Sequence, residues 1–193
     1  MLTKQFWCIV WGKSMSKSEK ITVRRARLDD ADQIHRVVSE SMQMYCKNSG
    51  ISRDKLDASF ETVEDIRSAI SLVPFFVAVK SDGTIVGSVR LLHKRISDFE
   101  IPELAGILSM GQEYYVSYFS RFAVKEDLQG LGIGSLLYRA SHAAAIESHS
   151  AVMLLHTALS NRIMVSFYER RGFTLLFEDL SRGYPRGLFG KKI

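Results

Sequence analysis

The chain has 193 residues, 46 % hydrophobic and 24 % charged, with a formal charge of +5, which is the composition of a globular domain and not of a disordered chain. Its 13 glycines and 2 cysteines exclude a collagen-like or disulfide-knit scaffold, and no Cys/His cluster has zinc spacing, so no metal is expected. The charge sits at the ends: residues 1–20 carry +3, the segment from Arg182 onward +4, and the body between them −2. Without a basic, aromatic-rich face in the body, the sequence argues against nucleic acid as a partner.

In chain order, residues 1–20 read as a flexible N-terminal extension, polar and breaker-rich over Gly12–Ser18, with Met15 a second candidate start. Phe6–Trp11 is too short for a signal peptide and no run reaches the ~20 residues of a membrane span, so a cytoplasmic protein with no membrane partner is expected. A single domain is expected over residues 21–193, able to bury roughly 70 % of its unfolded surface. Ile21–Ala26 alternates as a strand. Ala31, Ile34, Val37, Val38, Ser41 and Met42 follow at helical spacing, predicting a helix from Asp29 or Asp30 to about Cys46. A second helix starts near Thr62 and is closed by Pro74.

Phe75–Val79 and Ile85–Leu92 predict a hairpin, with Asp82-Gly83 supplying a primed turn. Residues 96–113 read as a long connection or short helix. Then come a strand at Tyr114–Val124, a glycine loop at Gly130–Gly134 and a helix at Ser135–Ser148. A strand at Val152–Leu159, a helix at Arg162–Arg171 and strands at Thr174–Phe177 and Tyr184–Lys191 complete the chain. The order predicts an α+β fold, mostly antiparallel, with a βαβ crossover near its end.

The loop Gln129-Gly130-Leu131-Gly132-Ile133-Gly134-Ser135 follows a strand and opens a helix. Alternate glycines remove the β-carbons that would hold an anion off the backbone. The helix N-terminus adds about half a positive charge, so the loop suits a phosphate or pyrophosphate. A Rossmann loop needs its third glycine one residue later and a ribose-binding acid further on, and a P-loop needs Lys after its last glycine; this chain has neither.

The segment Gln129–Gly134 resembles the Q/R-x-x-G-x-G/A signature of the GNAT N-acetyltransferase superfamily. Arg121-Phe122-Ala123-Val124 is similar to the superfamily's preceding strand. Asn161 with Ser166-Phe167-Tyr168-Glu169-Arg170-Arg171-Gly172-Phe173 is similar to its Asn…FYE-x-x-GF segment. One departure is Lys125-Glu126-Asp127-Leu128, where many relatives carry Pro and an aromatic residue. The resemblance implies a mixed, mostly antiparallel sheet flanked by helices, with an acyl-CoA-binding core of strand, glycine loop, helix and strand.

It also implies acetyl-CoA as acyl donor and acyl transfer to a primary amine by direct attack. The CoA pyrophosphate would lie on the amides of Gln129, Gly130, Leu131, Gly132, Ile133, Gly134 and Ser135. The pantetheine would lie along Phe122, Ala123 and Val124 where two strands splay, and the helix after Asn161 would lie beside the sulfur. Tyr168 would protonate the departing thiolate, a role that suits a phenol protonated at pH 7.

The base is less visible. Tyr118 and Ser120 alternate on the strand before the loop and could order a water. Glu100, Glu103 and Glu113 precede that strand and could reach in, while His156, mid-strand, could face the slot but reads first as a satisfied core histidine, as does His93. The acceptor, an amine-bearing small molecule or peptide, would meet residues 40–60 and 96–114, whose acids (Asp54, Asp57, Asp98) would suit a cationic amine. A homodimer is left open. The rival reading is a regulatory or interaction module that binds acyl-CoA without turnover. The basic ends read as solvated tails or as contacts for an anionic ligand, and a third reading uses them against nucleic acid or a membrane surface.

Overall fold

The computed structural model describes residues 20–99 and 101–193. The expected extension therefore lies, but for Lys20, outside the described residues, as does Glu100. Strand β1 (Thr22–Arg25) leads into α1 (Ala31–Ser49) and α2 (Val63–Leu72), followed by β2 (Phe75–Val79) and β3 (Ile85–Arg95). The connection that follows holds a short helix, α3 (Leu104–Leu108), before β4 (Tyr115–Val124). Then come α4 (Ile133–Glu147), β5 (Val152–Ala158), α5 (Arg162–Glu169), β6 (Thr174–Asp179) and β7 (Arg186–Lys192).

The strands form one seven-stranded sheet in the order β1-β2-β3-β4-β5-β7-β6. Neighbours are antiparallel except β4 and β5, which the α4 crossover joins in parallel. This is the α+β architecture expected. Alternation along the strands divides the core between two faces. Phe75, Val77, Val79 and Ile85 meet Ile34, Val37 and Val38 of α1 and Ile66 of α2. Phe76, Val89, Leu91, Phe119, Met153, Leu155 and Phe189 meet α4 and α5 on the other face. Each large side chain fully buried there stabilises the fold by about 1.5–3 kcal/mol.

Three local expectations are corrected. Helix α1 continues past Cys46 to Ser49, because Gly50 adopts the left-handed conformation (φ 71°) and its N–H closes the helix on the Cys46 carbonyl. The β2–β3 turn has positive φ at Gly83 alone, whereas a primed Asp-Gly turn needs it at both residues. The Gly83 N–H bonds the Lys80 carbonyl and Asp82 accepts from the Thr84 N–H, making a three-residue loop. The chain's basic end is no solvated tail: β7 inserts between β5 and β6, and residues 187–190 are buried. The α2 start follows expectation, with Thr62 and Asp65 each accepting from the other's backbone N–H.

Among the described residues no helix is long and apolar enough to cross a membrane.

Candidate active site

Strand β4 breaks regularity where the site forms. Its register against β3 shifts between Ser88 and Arg90, so an extra β4 residue bulges out opposite Val89. Arg121 takes up the strain with φ 51°, and its carbonyl accepts from the Ser88 hydroxyl at 3.1 Å. Against β5 the strand pairs only at Ser117 with Met153 and Tyr118 with Leu154. Beyond Tyr118 the two strands diverge, and the wedge between them opens into a cleft of about 710 Å³.

Tyr45 holds that wedge from above. Its hydroxyl accepts the Ala158 N–H at 2.6 Å and lies 3.2 Å from Thr157 Oγ1, tying α1 to the end of β5. The Ser160 hydroxyl donates to the Ser49 carbonyl beside it.

At one end of the cleft stands the glycine loop. Gly130 and Gly132 have φ of 81° and 84°, and a β-carbon on either would project into open space. A β-carbon on Gly134 would meet Phe122 at 3.0 Å and Phe167 at 3.4 Å. Among the described residues no backbone carbonyl accepts from the amides of Gly130 to Gly134, whereas Ser135 and Leu136 both bond back to Gly132. These orphan donors at a helix N-terminus suit an anion. Gln129 shapes the turn instead: its N–H bonds the Glu126 carbonyl and its side chain donates to the Val124 carbonyl.

Positive charge stands close by. Arg171 stacks on Phe167 with its guanidinium carbon 3.4 Å from the ring centroid and donates to Ser135 Oγ at 2.7 Å. Open donors, missing β-carbons and a fixed cation fit a diphosphate. Of the residues expected to hold the donor, Phe122, Val124, Gln129, Gly130, Gly132, Gly134, Ser135, Asn161 and Tyr168 line the cleft. Ala123 is buried in the core under α1, Ile133, the first residue of α4, is buried against the sheet, and Leu131 points to solvent.

Asn161 caps α5 through its Oδ1, which accepts the Met164 N–H. The cap sets the helix so that Val165 and Tyr168 face inward and Tyr168 reaches the cleft. Tyr168 packs edge-on against Phe119, Phe167 and Phe173 and is 5 % exposed. Among the described residues its hydroxyl has no hydrogen-bond partner. Burial pushes this phenol well above its usual range, so it is a protonated donor at neutral pH.

Across the wedge, the Tyr118 hydroxyl lies 2.9 Å from His156 Nδ1. His156 is therefore not the satisfied core histidine that its mid-strand position suggested. It lines the cleft, and Nε2 is buried without a hydrogen-bond partner, 3.6 Å from Asp179 Oδ2. Burial and the Arg186 charge push His156 down to about 4, so the imidazole is neutral at pH 7. Burial also raises the Tyr118 phenol.

Ser120 reaches the cleft, but its hydroxyl is held by Arg90, whose Nε donates to it at 3.3 Å. Glu103 and Glu113 lie exposed outside the cleft. His93 is exposed, stacked on Tyr115.

One cluster had no signal in the sequence. Glu61, just before α2, bridges Arg90 of β3 and Arg121 of the bulge at 2.7 Å each. Burial opposes ionisation of Glu61, but the hydrogen bonds and charges of the two arginines outweigh it and hold the carboxyl below its ordinary value. Burial and the Arg121 charge in turn lower Arg90. Two loops close over this region: Lys55 Nζ donates to the Gly183 carbonyl at 2.9 Å, and Arg182 pairs with Asp57.

A splayed parallel pair, a glycine loop of open amides and a tyrosine at the slot define an acyl-CoA-type cleft. The sequence pattern of the acetyltransferase (GNAT) family matches residues 49–173, and the chain belongs to that family. Over 89 residues it is 39 % identical to N-alpha-acetyltransferase 60 of Drosophila melanogaster. That match covers 44 % of this chain and only about a third (32 %) of the relative.

The fold is shared with a PaiA N-acetyltransferase from Thermoplasma acidophilum in complex with coenzyme A. The TM-score is 0.69 at 17 % identity, covering 90 % of this chain and 99 % of that one. It is also shared with a chain of a NatC complex bound to Gag peptide and CoA (TM-score 0.64, 13 % identity, 90 % and 99 % covered).

Proposed function

We propose that the protein transfers an acetyl group from acetyl-CoA to a primary amine by direct attack. The observation that carries this reading is the early divergence of β4 from β5, directly beside the open glycine-loop amides. A thioester threaded through the wedge has its diphosphate on Gly130–Gly134 and its sulfur near Tyr168.

The acceptor nitrogen attacks the thioester carbonyl carbon, the C–S bond breaks, and the Tyr168 hydroxyl gives its proton to the departing sulfur. The nitrogen loses its proton as the C–N bond forms, because its acidity rises with amide character. That proton passes to the Tyr118 oxygen while Tyr118 passes its own to His156 Nδ1. Asp179 stands near enough to steady the transient imidazolium. Ser120 has a supporting part, holding Arg90 in place.

A titration with acetyl-CoA followed by thiol release over a panel of primary amines tests the reading. Micromolar-range binding with amine-dependent thiol release supports it. Binding without release would leave an acyl-CoA-binding module, and no binding would remove the donor site altogether.

A further inference from the structure

We propose that the acceptor is a primary amine that carries a carboxylate close to the reacting nitrogen, an inference that rests on the acyltransferase reading above. The acceptor side of the cleft is the sheet face beyond the wedge, under the clasped loops. Five cations line it: Lys55, Arg90, Arg121, Arg182 and Arg186. Among the described residues three carboxylates pair with them. Asp57 pairs with Arg182, Asp179 with Arg186, and Glu61 is shared between Arg90 and Arg121.

Of those three, Asp57 alone lines the cleft. Glu61 and Asp179 stand behind the cations they pair with, so the surface a substrate meets is positive. Lys55 donates to a backbone carbonyl and, among the described residues, forms no salt bridge, feeling the charge of its neighbour Asp54. Among the described residues the two Nη atoms of Arg121 make no hydrogen bond, although its side chain is only 18 % exposed. His156 is neutral and adds no charge.

A half-buried guanidinium with open donors beside a second one is an unfinished anion site. A carboxylate there would complete the charge balance that Glu61 leaves short. The expectation that acids in residues 40–60 draw in a cationic amine is thus reversed. Asp57 is the acid from that stretch that reaches the cleft, and Arg182 occupies it. The same cations disfavour an ammonium ion, so they also hold the acceptor nitrogen in the neutral form that attacks.

Two sources share this chemistry: a small amino acid and a polypeptide N-terminus with an acidic residue next to it. The test measures acetyl-CoA-dependent thiol release in two arms. One uses amidated peptides that begin Ala-Glu, Ala-Gln or Ala-Lys and are otherwise identical. The other compares 4-aminobutyrate with its amide.

In the productive arm the acidic acceptor should exceed its neutral match roughly tenfold in kcat/KM, with Ala-Lys poorest, and added salt should narrow the gap. Arg121→Gln should raise KM for the acidic acceptor and shrink the preference, with KM for acetyl-CoA unchanged. If that variant fails to fold, Lys55→Gln, on the exposed clasp, should shift the preference the same way. Turnover of neutral or basic acceptors as fast as acidic ones overturns this inference and spares the acyltransferase reading. Absence of turnover with every amine overturns both.

Discussion

The Tyr118 hydroxyl and His156 Nδ1 lie 2.9 Å apart just past the last paired rung, Tyr118 with Leu154, of a parallel strand pair. One rung further on, β4 and β5 have separated, so the hydrogen bond stands at the apex of the wedge. Such a pair can move a proton without either partner being charged at rest. If the pair relays the acceptor's proton as proposed, Tyr118→Phe and His156→Gln should each lower kcat by about 10²-fold, and the double variant by little more than either, because the two would act as one unit. Steady-state rates for the three variants check this.

Tyr168 contributes at a different moment. Tyr168→Phe removes the hydroxyl that the proposed mechanism uses as acid but keeps the ring packed against Phe119 and Phe173. We expect a fall in kcat of roughly 10²-fold or more with the affinity for CoA retained. Calorimetric affinity measured beside the rate separates these outcomes.

His156 also sets a pH signature on stability. Its folded value is about 4, below the ordinary 6.5. Between those values the unfolded chain holds the extra proton, so the stability tied to a neutral His156 is complete above pH 6.5. It is lost as pH falls from there through 4, to a limit on the order of 3 kcal/mol. Urea unfolding at pH 7 and pH 5 should show a smaller acid loss in His156→Gln than in the parent. The rate, by contrast, should climb with pH toward the amine's own pKa with no inflection near 6.5.

Glu61 holds two half-buried arginines, and among the described residues no other carboxylate pairs with them. Glu61→Gln leaves both guanidinium groups uncompensated and should cost about 3–5 kcal/mol, read as a lowered urea midpoint with unchanged slope.

The glycine loop gives a cleaner separation of binding from stability. At Gly132, φ is 84° and nothing stands within 4 Å of the added carbon. Gly132→Ala should therefore cost only the backbone strain, about 1–2 kcal/mol, while placing a methyl group in the proposed diphosphate site. A loss of CoA affinity of at least tenfold, against a small shift in melting temperature, is the expected pattern.

The donor half of the site is legible in the sequence because it is local. Gln129–Ser135 sits on seven consecutive residues, and Asn161 and Tyr168 sit on one capped helix, so the family resemblance that suggests their roles can be read along short stretches of chain. The acceptor half is assembled by topology. Tyr118 and His156 are 38 residues apart and meet only because α4 returns the chain parallel to β4.

Mid-strand position told nothing of which face His156 would take, and the bulge at Arg121 reset the alternation near it. Glu61 carries no motif, and its role depends on Arg90 and Arg121 converging on it from two strands. Arg182 and Arg186 looked like tail charges because β7, last in sequence, takes a place inside the sheet and carries Arg186 to the cleft.

The divergence of β4 from β5 makes a passage lined from both faces of the sheet, by Phe122 and Phe167 on one side and Arg90 and His156 on the other. Thiol ester and nucleophile can thus occupy it together, arriving from opposite directions. The cysteine among the described residues, Cys46, lies outside it, so among the described residues no thiol stands there to carry the acyl group between two half-reactions. Double-reciprocal plots should intersect, the mark of a sequential ternary encounter, and would run parallel only if the enzyme were itself transiently acylated.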